Sequence, residues 1–284
     1  MTLAPTADIL AAARRAGTGA AAFNVIQIEH AQAIVEGAHR AGAPVILQIS
    51  ENTVAYHGGL APIGAAVLAI AASAQVPVAV HLDHATRPEL VHEAVERGFG
   101  SVMFDASALP YEENVAATAA VAARARARGV LVEAELGEVG GKDGVHAPGV
   151  RTDPGEAAAF VAATGVDALA VAVGSSHAML TRDAVLDFPL IARLAAAVPV
   201  PLVLHGSSGV PDESLTGAVR HGMTKINIAT HLNQAFTTAI RDHLTARPDT
   251  VDPRAYMKAA REAVAAQVAH LIRVLDPAEQ GEDR

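Results

Sequence analysis

The amino-acid sequence predicts a single-domain α/β protein built as a (β/α)8 barrel, and three observations carry that expectation. Eight short runs rich in β-branched residues alternate with alanine-rich segments along the chain. Most of these runs are apolar without a break, as parallel strands covered on both faces are. Helix start and stop signals stand between them. An open doubly wound sheet is the rival arrangement, but it carries a glycine-rich dinucleotide loop after its first strand. Here the first strand leads into FNVIQIEH (23–30), which is not such a loop.

The runs are AAFNVI (21–26), PVILQIS (44–50), PVAVHLD (77–83), SVMFDAS (101–107), VLVEAEL (130–136), DALAVAVG (167–174), VPLVLHG (200–206) and KINIAT (225–230). Thr86-Arg87-Pro88-Glu89 reads as a capping box with proline in the first turn, and Asp153-Pro154-Gly155-Glu156 repeats the device. Gly98, Gly129, Gly165 and Gly222 each follow a helical segment and precede a strand, where a helix C-terminus favours glycine. The barrel domain is expected over residues 1–275, with an acidic tail over 276–284.

Composition narrows the function. The 284 residues are 51% hydrophobic and 18% charged, as in a folded globular chain, with a net charge of −9. That charge argues against a nucleic-acid partner, because phosphate backbones need a basic surface. There is no cysteine, so thiolate chemistry is excluded and a metal site must use His, Asp or Glu. Leu60 to Val80 carries no charge, but Pro62, Ser73, Gln75 and Pro77 divide it into a helix followed by a strand, so no membrane partner is expected. The first residues, with Asp8 and the Arg14-Arg15 pair, lack the apolar centre of a signal peptide, and a cytoplasmic location is the expectation.

In such barrels chemistry sits at the C-terminal ends of the strands. Those ends hold Asn24, Ser50, Asp83 with His84, Asp105, Glu133 with Glu135, His177, His205, and Asn227 with Thr230. His84, His177 and His205 end the third, sixth and seventh strands and would converge on one mouth. Three imidazoles with an open position are what a catalytic Zn2+ requires. His81 is expected to be buried and hydrogen-bonded, whereas His30, His39, His92, His221, His243 and His270 are expected on solvated helix faces. The segments HGSSGVPDE (205–213) and NIAT (227–230, with Ala229) place small residues and hydroxyls ahead of helix N-termini, an anion-binding arrangement. The long glycine-rich segment 137–152 holds Asp143, a candidate second proton-transfer group.

In order, and across nearly the whole chain, VHLDHA, FDAS, EAELGEVGG, VGSSH, LVLHGSSGV and KINIAT resemble the class II, metal-dependent ketose-bisphosphate aldolases. That family includes fructose-1,6-bisphosphate and tagatose-1,6-bisphosphate aldolases and the phosphoketo-acid aldolase of inositol breakdown. The resemblance implies Zn2+ on His84, His177 and His205, with Asp105 and Glu135 at a second divalent or resting position. It implies Asp83 as acid/base at the C4 hydroxyl and Asn227 against a metal-stabilised enediolate. Gly206, Ser207, Ser208 and Thr230 match phosphate-binding positions, and Asn24 and Ser50 match substrate-side positions. A monovalent cation near the phosphate and a homodimer or homotetramer are implied as well.

Three departures from the family pattern stand out. Ala178 follows His177 where glycine is usual. Ser207-Ser208 replaces Gly-Gly or Gly-Thr, and the loop offers Asp143 alone instead of paired acids.

The expected reaction is reversible cleavage of fructose-1,6-bisphosphate or a related ketose bisphosphate to dihydroxyacetone phosphate and an aldehyde. Tagatose-1,6-bisphosphate and 6-phospho-5-dehydro-2-deoxygluconate are alternative substrates. A Schiff-base aldolase would rely on Lys142, Lys225 or Lys258, of which only Lys225 falls in a strand. A metal-dependent hydrolase would normally show H-x-H on the first strand, which FNVIQ lacks. A non-catalytic phosphosugar-binding barrel would have no use for Asp83.

Overall fold

A computed structural model describes residues 3–136, 151–177 and 179–280. Eight strands pair in sequence order, each parallel to the next, and β1 pairs with β8 to close the barrel. The strands are β1 (Ala20–Asn24), β2 (Val45–Ser50), β3 (Val78–Ala85), β4 (Ser101–Phe104), β5 (Leu131–Leu136), β6 (Ala168–Val171), β7 (Leu202–Leu204) and β8 (Met223–Ile228). Helix α1 (Thr6–Ala16) precedes β1, and α2 (Ile28–Ala41) follows it. Next come α3 (Glu51–Tyr56) and α4 (Leu60–Ser73), then α5 (Pro88–Glu96), α6 (Tyr111–Arg126), α7 (Pro154–Thr164) and α8 (Phe188–Ala197). The last three are α9 (Asp212–Arg220), α10 (Thr230–Ala246) and α11 (Pro253–Val274). The uncharged stretch from Leu60 is divided as expected, into α4 and then β3, and no helix among the described residues is long and apolar enough to cross a membrane.

Alternation along each strand separates two cores. Phe23, Leu47, Val80, Val102, Val132, Leu169, Leu204 and Ile226 point outward into one large cluster shared with the helices. The inward set changes character along the barrel axis. At the N-terminal end, Ala20, Ala22, Ile46 and Ala79 meet Ile9 and Leu10 of α1, which plugs the bottom. Met103, Ala168, Ala170 and Val203 form a second apolar group inside. Gln48, His81, Glu133, Lys225 and Asn227 share the inward parity and are buried polar or charged groups. Charged groups cannot be buried cheaply without partners, so this inner layer marks where function displaces packing.

Two local expectations need correction. The strand was expected to stop at Asp83 ahead of a helix capped by Thr86. Instead β3 continues to Ala85, and its register against β4 shifts between Leu82 and Ala85. His84 sits at that bulge with φ 49, the only non-glycine residue with positive φ among the described residues. This cancels the alternation, so Asp83 and His84 both face the mouth. Thr86 is not the cap. Arg87 is the N-cap of α5, with Pro88 in the first turn as expected. The Thr86 N–H and hydroxyl donate instead to Glu51 Oε2 (2.6 and 3.0 Å), while Arg87 Nε reaches Glu51 Oε1 at 2.6 Å. Asp153 caps α7 as read, accepting from the N–H groups of Gly155 and Glu156. Gly98, Gly129, Gly165 and Gly222 all have positive φ.

Candidate active site at the barrel mouth

A cavity of about 590 Å3 opens at the C-terminal ends of the strands. Its wall includes Asn24, Ser50, Asp83, His84, His177, His205, Gly206, Ser207, Ser208, Asn227, Ala229 and Thr230, so these sequence-derived candidates meet in one place. Asp143 and Ala178 lie outside the described residues, as does Lys142.

The three histidines come from β3, the segment after β6, and the end of β7. Ring centroids are 5.0 Å apart for His84–His177, 4.6 Å for His84–His205 and 5.6 Å for His177–His205. One nitrogen from each lies within 4.8 Å of the others, the spacing of ligands around one cation. Gly206 makes this convergence possible. Its φ is 67, and a Cβ there would stand 2.5 Å from the Ser176 backbone, so the turns carrying His177 and His205 touch only across glycine. The Ser175 hydroxyl ties them further, donating to the His205 carbonyl at 2.6 Å.

Each of two rings has a carboxylate behind it. His84 Nδ1 is 2.9 Å from Asp105 Oδ2, and His205 Nε2 is 2.9 Å from Glu133 Oε1. The remaining nitrogens, His84 Nε2 and His205 Nδ1, then face each other at 2.9 Å. Carboxylate–imidazole pairs of this kind orient metal ligands and raise their basicity. Burial, with His84 next in weight, pushes His205 well below the usual imidazole range, which favours the neutral ring a metal needs. The donor set therefore fits a divalent cation. His84, Asp105 and Glu135 form a second group of mutually close ligand atoms behind the first.

Asp83 is buried beside this centre. Asn24 Nδ2 donates to its Oδ2 at 2.7 Å, and Gln48 Nε2 holds Asn24 Oδ1 at 3.2 Å. Asp83 Oδ1 has no hydrogen-bond partner among the described residues. Burial opposes its ionisation, but His84, His205, Lys225 and His81 around it outweigh that and hold the carboxyl below the usual range. A carboxylate with one oxygen fixed and one available is placed to exchange a proton with a bound molecule.

Opposite, Ser207–Gly209 form a single 3-10 turn ahead of α9. The two serines differ. Ser207 turns its hydroxyl inward to the Leu204 carbonyl at 3.1 Å, whereas Ser208 Oγ accepts from Ala229 N and His231 N, both at 3.2 Å. The Ser208 oxygen thus occupies the N-terminus of α10, where helix N–H groups and dipole favour an anion.

Other histidines test the reading further. His81 is buried, with Nδ1 2.8 Å from Ser101 Oγ, as expected. His30 is not solvated: it is 3% exposed and stacks on Phe236 of α10 at 4.4 Å. An apolar helix face contains it, and helix membership alone could not reveal that. Lys225 is fully buried, with Nζ donating to Glu133 Oε2 at 2.7 Å below the cavity, so it serves as an ion-pair partner. Gln48, Glu51 and the Glu133–Lys225 pairing were missed by strand-end reading. Glu133 itself stands among the strand-end residues; for Gln48 and Lys225 the available signal is inward parity, two residues deeper than the ends.

Known proteins similar to this chain fall in one family. The family described as "Fructose-bisphosphate aldolase class-II" matches residues 4–280. The chain is 41% identical over 268 residues to a Bacillus subtilis (strain 168) protein named "Probable fructose-bisphosphate aldolase", covering 93% of this chain and 94% of that one. It is 40% identical over 277 residues to a Staphylococcus epidermidis "Fructose-bisphosphate aldolase", covering 96% and 97%. Among solved structures it resembles the YdjI aldolase from Escherichia coli K12, with TM-score 0.85 and 33% identity over 96% of this chain and 97% of that one. A match over nearly its whole length, on a closed barrel whose mouth gathers three imidazoles and a carboxylate, places the chain in the metal-dependent class II fructose-bisphosphate aldolase family, as a lyase.

Proposed function

We propose that the protein is a zinc-dependent aldolase that reversibly cleaves a phosphorylated ketose, fructose-1,6-bisphosphate or a close relative, into dihydroxyacetone phosphate and an aldehyde. The observation that carries this reading is the convergence of His84, His177 and His205 within 4.8 Å beside buried Asp83. These imidazoles hold the cation, which when bound supplies Lewis-acid stabilisation of the negative charge that carbon–carbon cleavage leaves on the substrate.

The remaining work belongs to this chain's side chains. Asp83 takes the proton of the C4 hydroxyl, through the oxygen that Asn24 leaves unengaged. As that O–H bond breaks, C4 becomes the aldehyde carbonyl and the C3–C4 electron pair stays with the ketose half. Asn227, beside His205, is placed against the oxygen that gains charge. Gly206, Ser208 and the N–H groups at the start of α10 receive the phosphate, with Ser208 turning its hydroxyl toward the incoming oxygens. Ser207 supplies turn shape, not a free hydroxyl. Ser50 caps α3, accepting from Thr53 N at 3.2 Å, and lines the substrate side. Asp105 orients His84, and Asp105 and Glu135 together with His84 offer a second position for the cation. Return of a proton to C3 falls to Asp143.

The test is an aldol-cleavage assay on fructose-1,6-bisphosphate, tagatose-1,6-bisphosphate and 6-phospho-5-dehydro-2-deoxygluconate side by side. EDTA is expected to abolish cleavage of the preferred substrate and Zn2+ to restore it. Cleavage that survives chelation, with borohydride trapping of dihydroxyacetone phosphate on Lys225, would overturn the proposal.

A further inference from the structure

Glu133 stands on β5 and faces into the barrel with its side chain 1% exposed. Its two oxygens are divided between two partners: Oε1 is 2.9 Å from His205 Nε2, and Oε2 is 2.7 Å from Lys225 Nζ. Both partners are equally buried. We propose that Glu133, anchored by Lys225, is a positioning residue that fixes the proton of His205 on Nε2 and thereby leaves the Nδ1 lone pair facing the three-histidine centre. The inference rests on the reading that His84, His177 and His205 hold the cation, and it adds residues to which neither the family match nor the strand-end reading gives that task.

Donors and acceptors decide which nitrogen carries the proton. A carboxylate only accepts, so the nitrogen 2.9 Å from Oε1 must carry hydrogen. A neutral imidazole has one N–H, so Nδ1 is then a lone pair. Across the gap, His84 Nδ1 faces Asp105 Oδ2, and the same reasoning leaves His84 Nε2 without hydrogen. Two lone pairs 2.9 Å apart repel each other unless a cation sits between them. The two carboxylates thus make the centre complementary to a cation before any arrives. Asn227 Nδ2, 3.1 Å from His205 Nε2, favours the opposite tautomer because an amide nitrogen only donates. A carboxylate held by a lysine is the stronger partner. Turned over, the Asn227 amide would bring Oδ1, which has no partner in the present orientation, against the same N–H.

Lys225 gives the proposal its sharpest consequence. In Glu133→Gln the shape is kept, and Lys225, which only donates, holds the amide oxygen. The amide NH2 must then face His205 Nε2, which can accept it only by moving its own proton to Nδ1, into the centre. Adding Lys225→Met frees the amide to turn its oxygen toward His205, and the double variant leaves neither member of the pair as a lone buried charge.

The experiment is 15N NMR of the histidine rings in the metal-free full-length chain, with Zn2+ affinity measured by competition with a chromophoric chelator. The unmutated chain is expected to show His205 protonated at Nε2. Glu133→Gln should show it protonated at Nδ1, with Zn2+ bound about 10- to 100-fold more weakly. Glu133→Gln/Lys225→Met should return the proton to Nε2 and recover most of the affinity, a rescue that loss of packing would not give. A proton on Nδ1 in the unmutated chain overturns the proposal even if the variants fail to fold. An unmoved proton with unchanged affinity in Glu133→Gln overturns it too, as does a double variant no better than the single. Zn2+ affinity that survives His177→Ala would sink the three-histidine reading instead, and the tautomer result in the metal-free chain still decides this one.

Discussion

His30 gives the fold a pH dependence whose sign and size follow from its surroundings. The ring lies between α2 and α10, 3% exposed and stacked on Phe236 with 17° between the planes. Neither ring nitrogen completes a hydrogen bond of normal geometry, although Asn233 is close. Burial lowers its pKa to about 4 from 6.5, against smaller upward pulls from Glu29 and Asn233. The unfolded chain therefore binds a proton near pH 6.5 that the folded chain refuses until about pH 4. Above pH 6.5 both states are neutral and the contribution is fully present. It is lost as pH falls from 6.5 toward 4. At about pH 4.5 the loss is about 2.5 kcal/mol, because each pH unit below the unfolded value removes about 1.4 kcal/mol. The perturbation is His30→Leu, which keeps the apolar contact and removes the titration. Urea unfolding of both chains at about pH 7.5 and about pH 4.5, in EDTA, isolates it, because every other titrating group cancels in the difference. The unmutated chain should lose about 2.5 kcal/mol more than the variant between those two conditions. Parallel losses would show that the ring is hydrated or paired in solution, and the reasoning would fail.

Three further outcomes follow from the mouth. Asp83→Ala should retain zinc by atomic absorption while cleavage falls about 10²- to 10⁴-fold; near-normal turnover would remove Asp83 from its role. His84→Gly and His84→Ala should both weaken Zn2+ binding, but glycine should unfold at higher urea, by about 1 kcal/mol, because φ 49 strains any Cβ. Equal midpoints would mean that the bulge relaxes once the ring is gone. Glu51→Ala leaves the Thr86 N–H and hydroxyl and the Arg87 guanidinium without their acceptor, and should cost about 1–2 kcal/mol in urea unfolding. An unchanged midpoint would show this tie to be dispensable.

Periodicity and punctuation made the architecture readable, since an apolar run between a glycine and a helix cap has few other uses. The same strand ends led to His84, His177, His205 and Asp83, because polar residues there have no packing reason to recur. What escaped was set by backbone detail and long-range pairing. No local pattern announces that His84 adopts a left-handed conformation, and without it Asp83 and His84 would point opposite ways. Thr86 carried a genuine cap signature, yet Glu51, 35 residues earlier, claimed its donors. Lys225 looked like an isolated strand lysine because its partner lies 92 residues away on β5. His30 looked solvated because helix position alone does not say which neighbour covers it.

The placement of these polar groups also explains why the site and the fold stand together. The strands point aliphatic and aromatic residues outward, so the barrel's stability rests mainly on the cluster between strands and helices. That frees the inner layer to hold costly groups, provided each finds a partner across the barrel. Glu133 must meet His205 of β7 and Lys225 of β8, Asp83 must meet Asn24 of β1, and Ser101 of β4 must meet both His81 and Thr6 of α1. Every one of these pairs spans different elements. A two-residue slip of β1, β3, β4, β5, β7 or β8 would keep the outward faces apolar yet strand at least one buried charge or donor, at a cost of about 1–3 kcal/mol or more each. Register is therefore enforced by the groups that bind and react, and the closed barrel is the arrangement in which they are satisfied at once.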